Sequence, residues 1–364
     1  MTLVQVLPIL AWALHTGRLP WPGTARVRGR VPWVENGESP RVPRAVRGAV
    51  AVLLCAACGI FAGVTLVSPL TQRASVPGDW AVVACDVHQG DAILLREPGV
   101  PNSTILVDTG DSPELIEDCL ARFGVHRIRL LVLTHDDQDH VGALSAVAAI
   151  TEAALVSPPV AEYIPGSEGV AGASPRPLLQ ELEEYGVPYR VGVEGMRSDD
   201  PGVRWEILAP EPGRVVTDEN ATSLVLLASA GGLTTLLLAD TGENEHRALL
   251  ARGVGLRADI VKVAHHGSRN QDSRLLAATA ARFGLVSVGA ENRYGHPNEV
   301  VLTAMRDAGI IALRTDELGS IALRKVAGEI HAWSVRAPEE TGEQGREELR
   351  DLPARSGSDV GATE

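Results

Sequence analysis

Four side chains that can bind metal ions lie within six residues of one another in the segment THDDQDHVGA. They are His135, Asp137, Asp139 and His140, and they follow an apolar run that ends at Leu133. So many carboxylates and imidazoles in one turn would repel and desolvate one another unless cations held them. The spacing predicts a turn that directs His135 and Asp137 to one ion, and Asp139 and His140 to a second. The alternative is an acidic loop that caps the following helix.

Later motifs follow in the order found in a known superfamily. HDDQDH resembles the H-x-[HD]-x-D-H signature of the metallo-β-lactamase superfamily. LVDTG, LLLADTGENE, IVKVAHHGS and NRYGHP resemble its strand-end D-T-G, its bridging aspartate and its later histidine motifs. The resemblance implies that Asp240 bridges two ions. It also implies that one of His265, His266 and His296 completes the shell of an ion, while the others act on the leaving oxygen.

The resemblance implies two overlapping sets of residues. The expected metal ligands are His135, Asp137, Asp139, His140, Asp240 and His265. The residues expected to act in the reaction are Asp139, Asp240, His266 and His296. Further side chains are expected to support these residues or to contact the substrate, namely Asp86, Asp91, Asp108, Asn220, Ser268 and Asn292. Of these, Asp108 is expected to hold the HDDQDH turn by hydrogen bonds.

The same motifs, together with CDVHQGDAILL and ENATSLVLL, resemble the C-terminal domain of the ComEC competence proteins over roughly residues 80 to 325. This family consists of membrane proteins implicated in DNA uptake, and it has a multi-helix channel region. The chain is therefore expected to be the C-terminal half of such a protein, with a separate channel subunit as a partner. His88 and Ala239 stand where the family has glycines. We expect His88 to be tolerated, although it requires a positive φ if the glycine conformation is kept.

The ligand set favours a hard cation. No histidine occurs between His140 and His246, where many relatives have a further imidazole. Asn220, Asp218 or water is expected to fill this position, and the alternative is that Asn220 only holds a turn. Asp137 also replaces an imidazole of the zinc-preferring relatives. Because carboxylate and water suit harder cations, we predict two divalent ions, with manganese favoured over zinc.

Short apolar runs alternate with amphipathic segments from residue 80 to residue 324, as strands alternate with helices. Helices are predicted both early and late in this region, among them Val141–Ile150 and Ser273–Phe283. This arrangement favours two sheets packed face to face and covered by helices on the outside. The predicted fold is an α/β metallo-β-lactamase αββα sandwich over residues 80–335.

An uncharged run of 23 residues from Gly48 to Leu70 is long enough to cross a membrane as a helix. Arginines dominate residues 1–47, so the positive-inside rule places this arm in the cytoplasm or at the membrane interface. The chain is expected to be a single-pass protein of the cell membrane with its hydrolase domain outside the cytoplasm. The alternatives are a cleaved signal peptide, whose apolar core would be shorter and nearer Met1, and a buried soluble helix. Residues 338–364 are polar and charged and are expected to be disordered.

Composition narrows the function further. The net charge of −13 argues against a generally basic surface for nucleic acid. Arg269 and Arg293, beside the later histidines, predict a local basic rim. Four scattered cysteines do not predict a disulfide-stapled scaffold. The leading hypothesis is a membrane-tethered, two-metal phosphodiesterase or nuclease that acts on DNA, with single strands expected. The alternatives are a hydrolase of lactams, lactones or thioesters and a non-catalytic module of a DNA-uptake channel.

Overall fold

The computed structural model describes residues 76–159, 177–198, 202–212 and 218–336. These residues belong to one compact unit that begins at Val76. The predicted arm (1–47), membrane helix (48–70) and tail (338–364) lie outside them. Within the described ranges, no helix is long and apolar enough to cross a membrane.

The strands form two sheets. In chain order they are β1 (Val82–Ala84), β2 (Ile93–Leu95), β3 (Ile105–Val107), β4 (Leu130–Leu133), β5 (Ala154–Val156), β6 (Tyr189–Val191), β7 (Arg197–Ser198), β8 (Arg204–Ala209), β9 (Val225–Ala230), β10 (Leu233–Leu237), β11 (Ile260–Lys262), β12 (Phe283–Val286), β13 (Ile311–Arg314), β14 (Ile321–Val326) and β15 (Glu329–Ser334). The first sheet has the order β15-β14-β1-β2-β3-β4-β5-β6, and the second has the order β13-β12-β11-β10-β9-β8-β7.

The α-helices of the described residues are α1 (Pro113–Arg122), α2 (Gln138–Val141), α3 (Leu144–Val147), α4 (Pro177–Glu184), α5 (Glu243–Arg252), α6 (Ser273–Thr279), α7 (Glu299–Asp307) and α8 (Thr315–Leu318). Three of them begin at a side chain that accepts a hydrogen bond from a backbone N–H of the first turn. These N-caps are Ser112, Asp272 and Asn298. Such caps satisfy N–H groups that have no partner inside the helix.

Alternate residues of each strand face two different cores. In β3, Ile105 and Val107 point between the sheets, where they join a cluster with residues of the second sheet. Leu106 points the other way, into a cluster that includes Ile116 of α1. The second sheet repeats this pattern, because its outer face packs with Leu275 and other residues of α5, α6 and α7. Helices therefore cover both outer faces, as the predicted αββα sandwich requires.

Two predicted helices are wrong in extent. The predicted helix Val141–Ile150 is broken between α2 and α3, because the N–H of Ala143 donates to Gly110 O at 3.0 Å instead of continuing the helix. The predicted helix Ser273–Phe283 ends at Thr279. Phe283 instead begins β12, where its side chain is buried between the sheets.

Cys85 and Cys119 form a disulfide that the scattered cysteines did not indicate. It joins the end of β1 to α1 across a sequence separation of 34 residues. Both sulfurs lie within the cluster between the first sheet and its helices. The disulfide therefore adds to a hydrophobic core and does not replace one.

Candidate metal centre

Four loops bring the predicted ligands to one end of the sandwich. Strands β3 and β4 are parallel neighbours, and so are β10 and β11. The carboxyl ends of parallel strands lie at the same edge of a sheet. Asp108 follows β3, the HDDQDH turn follows β4, Asp240 follows β10, and His265 and His266 follow β11. Face-to-face packing of the sheets brings these two edges together.

Five side chains meet at the centre of this end. His266 Nε2 lies 3.3 Å from Asp139 Oδ2 and 3.4 Å from Asp240 Oδ2. His140 Nε2 lies 3.4 Å from Asp240 Oδ1. The rings of His135 and His140 have their centroids 4.1 Å apart. Ligating atoms of His135, His140 and Asp240 lie within 4.8 Å of one another, as do those of Asp139, His140 and His266. We call these five residues the cradle.

Ligating atoms of the cradle have no hydrogen-bond partner among the described residues. They are Nε2 of His135, His140 and His266 and Oδ1 of Asp240, and all are buried. Buried polar atoms are nearly always hydrogen-bonded, and each one left unsatisfied costs about 1–3 kcal/mol. Imidazole nitrogens and carboxylate oxygens are common ligands of divalent metals. The donor set therefore fits metal ions.

The three cradle histidines all use Nδ1 for a hydrogen bond and direct Nε2 inward. His140 Nδ1 lies 2.8 Å from Asp108 Oδ2, and His135 Nδ1 lies 3.0 Å from Thr134 Oγ1. His266 Nδ1 lies 2.9 Å from Ser287 O. These partners fix the tautomer and the orientation of each ring, which is how second-layer groups prepare a histidine to bind a metal.

The cradle favours positive charge. Burial would raise the pKa of Asp240, but the charges of His266 and His140 hold it well below its usual value. Burial would lower the pKa of His140 and of His266, but Asp240 and the neighbouring carboxylates raise both well above the usual value. The negative charge of the buried carboxylates thus outweighs the cost of desolvating a cation at this position.

Asp108 connects the HDDQDH turn to the end of β3. Its Oδ1 accepts a hydrogen bond from Thr134 N at 2.8 Å, and its Oδ2 accepts one from Thr134 Oγ1 at 2.8 Å. The same Oδ2 lies 2.8 Å from His140 Nδ1. Asp108 therefore positions His140 directly and His135 through Thr134.

A buried ion pair supports His266 from the other side. Asp91 Oδ1 lies 3.3 Å from His266 Nδ1, and Asp91 Oδ2 forms an ion pair with Lys262 Nζ. Burial would raise the pKa of Asp91, but Lys262 and the imidazoles of His266 and His140 lower it. Sequence reasoning missed Lys262, whose only signal is a lysine inside the apolar run IVKVA. The backbone N–H of Asp91 also donates to Asp139 O at 3.2 Å.

Asp137 lies beside His135, and Asn220 lies in the loop before β9. Asp137 Oδ2 is 3.3 Å from His135 Nε2, and its side chain is half exposed. Asn220 begins a 3₁₀ turn (Asn220–Thr222) whose chain continues to Leu224, and Leu224 N–H donates to Thr134 O at 3.0 Å. Asn220 Oδ1 is buried without a partner among the described residues. A buried carboxamide oxygen without a partner is a candidate metal ligand.

Left-handed backbone concentrates in the loops around the cradle. Asp108, Ala239, His265 and His266 have φ values of 60°, 48°, 47° and 52°, respectively. Residues with a Cβ adopt this region at a cost of order 1–3 kcal/mol, and such strain clusters at functional sites. Ala239 and His88, with φ of 63°, stand at two of the glycine positions of the ComEC pattern. The side chain of His88 is exposed to solvent, so a histidine fits at this position without entering the core.

His265 and His296 stand nearer the solvent. His265 belongs to none of the ligand groups that the described residues form, and its Nε2 lies 3.7 Å from Asp240 Oδ2. The rings of His265 and His296 have their centroids 5.8 Å apart. Burial lowers the pKa of His265, and Asp240 offsets this only in part. Burial, together with the charges of His265 and His266, also lowers the pKa of His296.

The remaining predicted residues shape loops. Asn292 Nδ2 donates to His296 O at 2.8 Å and to Gly289 O at 3.1 Å, so both amide hydrogens bind the loop and not a substrate. Asp86 forms an ion pair with Arg336 at 2.8 Å. Ser268 Oγ lies 3.4 Å from Asn270 N in the turn after His266. These contacts favour a structural role for all three.

Comparison with known proteins places the chain in a family. The model of the metallo-beta-lactamase superfamily matches residues 85–281, so the chain belongs to this superfamily. Among curated proteins, competence protein ComA of Neisseria gonorrhoeae is 30% identical over 261 residues. ComE operon protein 3 of Bacillus subtilis is 26% identical over 275 residues. These relatives confirm the resemblance to the ComEC competence proteins.

Each of these two alignments covers 70% of this chain and 34% of the relative, so the chain spans about a third of the relatives' length. Similar solved structures include CmlA, a diiron beta-hydroxylase from Streptomyces venezuelae. It has a TM-score of 0.44 and 16% identity, and the match covers 68% of this chain and 55% of CmlA. Tm1679, a metal-dependent hydrolase of the beta-lactamase superfamily, has a TM-score of 0.41 and 14% identity. The match covers 64% of this chain and 96% of Tm1679.

Proposed function

We propose that the chain is a two-metal phosphodiesterase that hydrolyses DNA during uptake. The observation that carries this proposal is the convergence of unpartnered, buried ligating atoms from both sheets at the cradle. A pair of divalent ions held there would lower the pKa of a water and neutralise charge on a phosphodiester. The similarity to competence proteins supports DNA as the substrate.

His140 belongs to both ligand groups of the cradle, and we assign it to the second ion on the spacing of the HDDQDH turn. His135 and Asp137, with the Asn220 oxygen, would hold one ion. Asp139, His140 and His266 would hold the other, and Asp240 would contribute to both. His266 replaces His265 in the predicted ligand set, because His266 Nε2 lies within 3.4 Å of both Asp139 and Asp240.

The two rim histidines then act on the substrate. His265 and His296 are partly exposed at the mouth of the cradle, where an N–H group can hydrogen-bond or protonate the leaving oxygen. Their rings neighbour each other at 5.8 Å between centroids, so both can reach one phosphodiester.

We propose manganese as the preferred ion. The first ion would have one imidazole, from His135, and otherwise oxygen ligands from Asp137, Asp240 and Asn220. Oxygen-rich sites suit hard cations such as Mn²⁺ better than they suit Zn²⁺, because zinc favours nitrogen and sulfur ligands.

A location outside the cytoplasm is part of the proposal. Disulfides persist in oxidising compartments and are rare in the cytosol, and Cys85 and Cys119 form one. This supports the expectation that residues 48–70 tether the domain to the outer face of the cell membrane, with a channel subunit as a partner.

The test combines metal content with hydrolysis. The full chain, purified in detergent, is loaded with Mn²⁺ or with Zn²⁺, and its activity on single-stranded DNA, duplex DNA and nitrocefin is compared. We expect two ions per chain and Mn²⁺-dependent cleavage of DNA. Asp139→Ala and Asp240→Ala should abolish cleavage, whereas His331→Ala, at an exposed position on β15, should not.

Three results would contradict the proposal. Turnover with zinc alone would refute the metal preference. Cleavage of nitrocefin without cleavage of DNA would favour the small-molecule hydrolase. Bound ions with no activity on any of these substrates, together with unfolding of both aspartate variants, would favour a non-catalytic module.

A further inference from the structure

An exposed aromatic ring stands beside the metal centre. Tyr294 has 73% of its surface exposed, the largest fraction among the large apolar and aromatic side chains of the described residues. A single exposed ring indicates nothing by itself, because surfaces carry many of them. The case for a role of Tyr294 depends on the residues around it.

A row of rings connects Tyr294 to the cradle. The rings of Tyr294 and His296 are stacked, with centroids 6.0 Å apart and planes inclined by 17°. The ring of His296 lies 5.8 Å from that of His265, and His265 Nε2 lies 3.7 Å from Asp240 Oδ2. A substrate that reaches the cradle from the side of Tyr294 therefore passes along aromatic faces.

The loop that carries Tyr294 is held in place. His296 N–H donates to Asn292 Oδ1 at 3.1 Å, and Asn292 Nδ2 donates to His296 O at 2.8 Å, so one side chain closes the turn around Tyr294. Asn298 N–H donates to Gly267 O at 2.8 Å, which ties the loop to the turn that contains His266. A ring with a fixed position binds a partner at a lower entropic cost than a mobile one.

Two exposed arginines lie on the same loops. Arg293 precedes Tyr294, and Arg269 follows the turn of His265 and His266. Neither forms an ion pair with a residue that the structure describes. Between the end of β12 and Asn292 the chain has a single acidic residue, Glu291, so little negative charge opposes the arginines there. Exposed guanidinium groups on the loops that carry the aromatic rings match a ligand that combines phosphates with flat bases.

We propose that Tyr294 is a stacking platform for an unpaired nucleobase of the substrate strand, adjacent to the phosphodiester at the cradle. This inference rests on the proposed hydrolysis of DNA. Every base has a π-face, so such a platform tolerates any sequence. Bases inside a duplex are already stacked on one another, so the platform selects single-stranded ends or strands.

The experiment compares three substrates of equal length: a single-stranded oligonucleotide, the same strand with abasic residues, and the duplex. The full chain, loaded with Mn²⁺, is used as wild type, Tyr294→Ala and Tyr294→Trp. Tyr185→Ala is the matched control, because Tyr185 is also exposed, at 48%, and follows α4. Loss of one stacked base weakens binding by about tenfold.

We expect Tyr294→Ala to raise KM for the single strand about tenfold while leaving the abasic strand and the metal content unchanged. Tyr294→Trp should retain the wild-type KM, and Tyr185→Ala should have no effect. An equal change on the abasic strand, or a changed metal content, would show that Tyr294 only packs the loop. A KM within a factor of about two of wild type would exclude stacking.

Binding separates this inference from the proposed function. If the wild type cleaves no DNA, fluorescence anisotropy with the labelled single strand still measures the contribution of Tyr294. Equal affinities of wild type and Tyr294→Ala would then refute the platform. Tighter binding by the wild type, without cleavage, would support the platform and refute the hydrolysis.

Discussion

The cradle and its rim differ in how they are held. His135, His140 and His266 are at most 1% exposed, and each has its Nδ1 bound from behind. His265 and His296 are partly exposed, and Tyr294 is mostly exposed. The position of the rim is set by hydrogen bonds of the Asn292 side chain and of the loop backbone. The cradle side chains are therefore fixed by the packing of the two sheets, whereas the rim side chains are open to solvent.

The largest effect on stability is expected from Lys262→Met. This change removes the lysine partner of the buried Asp91 carboxylate, and breaking a buried pair costs about 3–5 kcal/mol. Urea unfolding of the metal-free protein measures the loss. The double variant Asp91→Asn/Lys262→Met should recover most of it. A loss below about 1 kcal/mol in the single variant would mean that the ion pair is not part of the cradle's support.

The next effect is a pH dependence caused by His246. Its Nδ1 accepts a hydrogen bond from Asp272 N at 3.2 Å, and burial lowers its pKa to about 4. Because an unfolded histidine titrates near 6.5, the unfolded state binds more protons between these values. Stability should therefore fall by up to about 3 kcal/mol as the pH falls from 6.5 to 4.

Thermal or urea unfolding between pH 4 and 7 tests this dependence on His246. His246→Asn should flatten the slope in that window, and His331→Asn, at an exposed position, should not. An unchanged slope in His246→Asn would assign the pH dependence to other groups.

A smaller effect is expected from Asp108→Asn, and it concerns metal affinity. An amide nitrogen in place of Oδ2 faces the N–H of His140 and the hydroxyl of Thr134, which both donate. Loss of such a second-layer partner lowers metal affinity about 10- to 100-fold. Competition with a chelator measures this change. Asp86→Asn, which touches Arg336 on the outside, serves as the control and should bind metal as the wild type does.

The smallest effect on stability is expected at the rim. His296→Gln should change the free energy of unfolding by no more than about 0.5 kcal/mol, as surface substitutions do. It should lower kcat for DNA by about 10²-fold, because the proposed function has His296 act on the leaving oxygen. Unfolding and cleavage are measured on the same preparation. A large loss of stability would erase the distinction between cradle and rim.

Much of the architecture follows from apolar periodicity. The runs around Leu106, Leu131 and Val261 are buried on both faces, so they are continuous and easy to recognise as strands. The strand β15, with the sequence EIHAWS, is mostly exposed at the edge of its sheet and has no such signal. The break before Leu144 depends on a hydrogen bond to Gly110, a residue distant in sequence, so local patterns do not reveal it.

The site was predictable to a different degree in its two parts. The density of ligands in the HDDQDH turn indicated His135, Asp139 and His140, whereas Asp240 and His266 came from the resemblance to the superfamily. The choice between His265 and His266 depends on two consecutive left-handed residues, a conformation that side-chain types do not indicate. Lys262 escaped notice because lysines are seldom buried unless paired, and its partner Asp91 lies 171 positions earlier in the chain.

The Cys85–Cys119 cross-link encloses the segments that carry Asp91 and Asp108, the two carboxylates behind the cradle histidines. Closing a loop of 34 residues lowers the entropy of the denatured chain. In the chain-entropy account this raises the free energy of unfolding by about 4 kcal/mol. A reducing cell interior would forfeit this contribution. The thiol–disulfide balance of the compartment in which the chain matures therefore affects the stability of the segments that hold Asp91 and Asp108 against the cradle histidines.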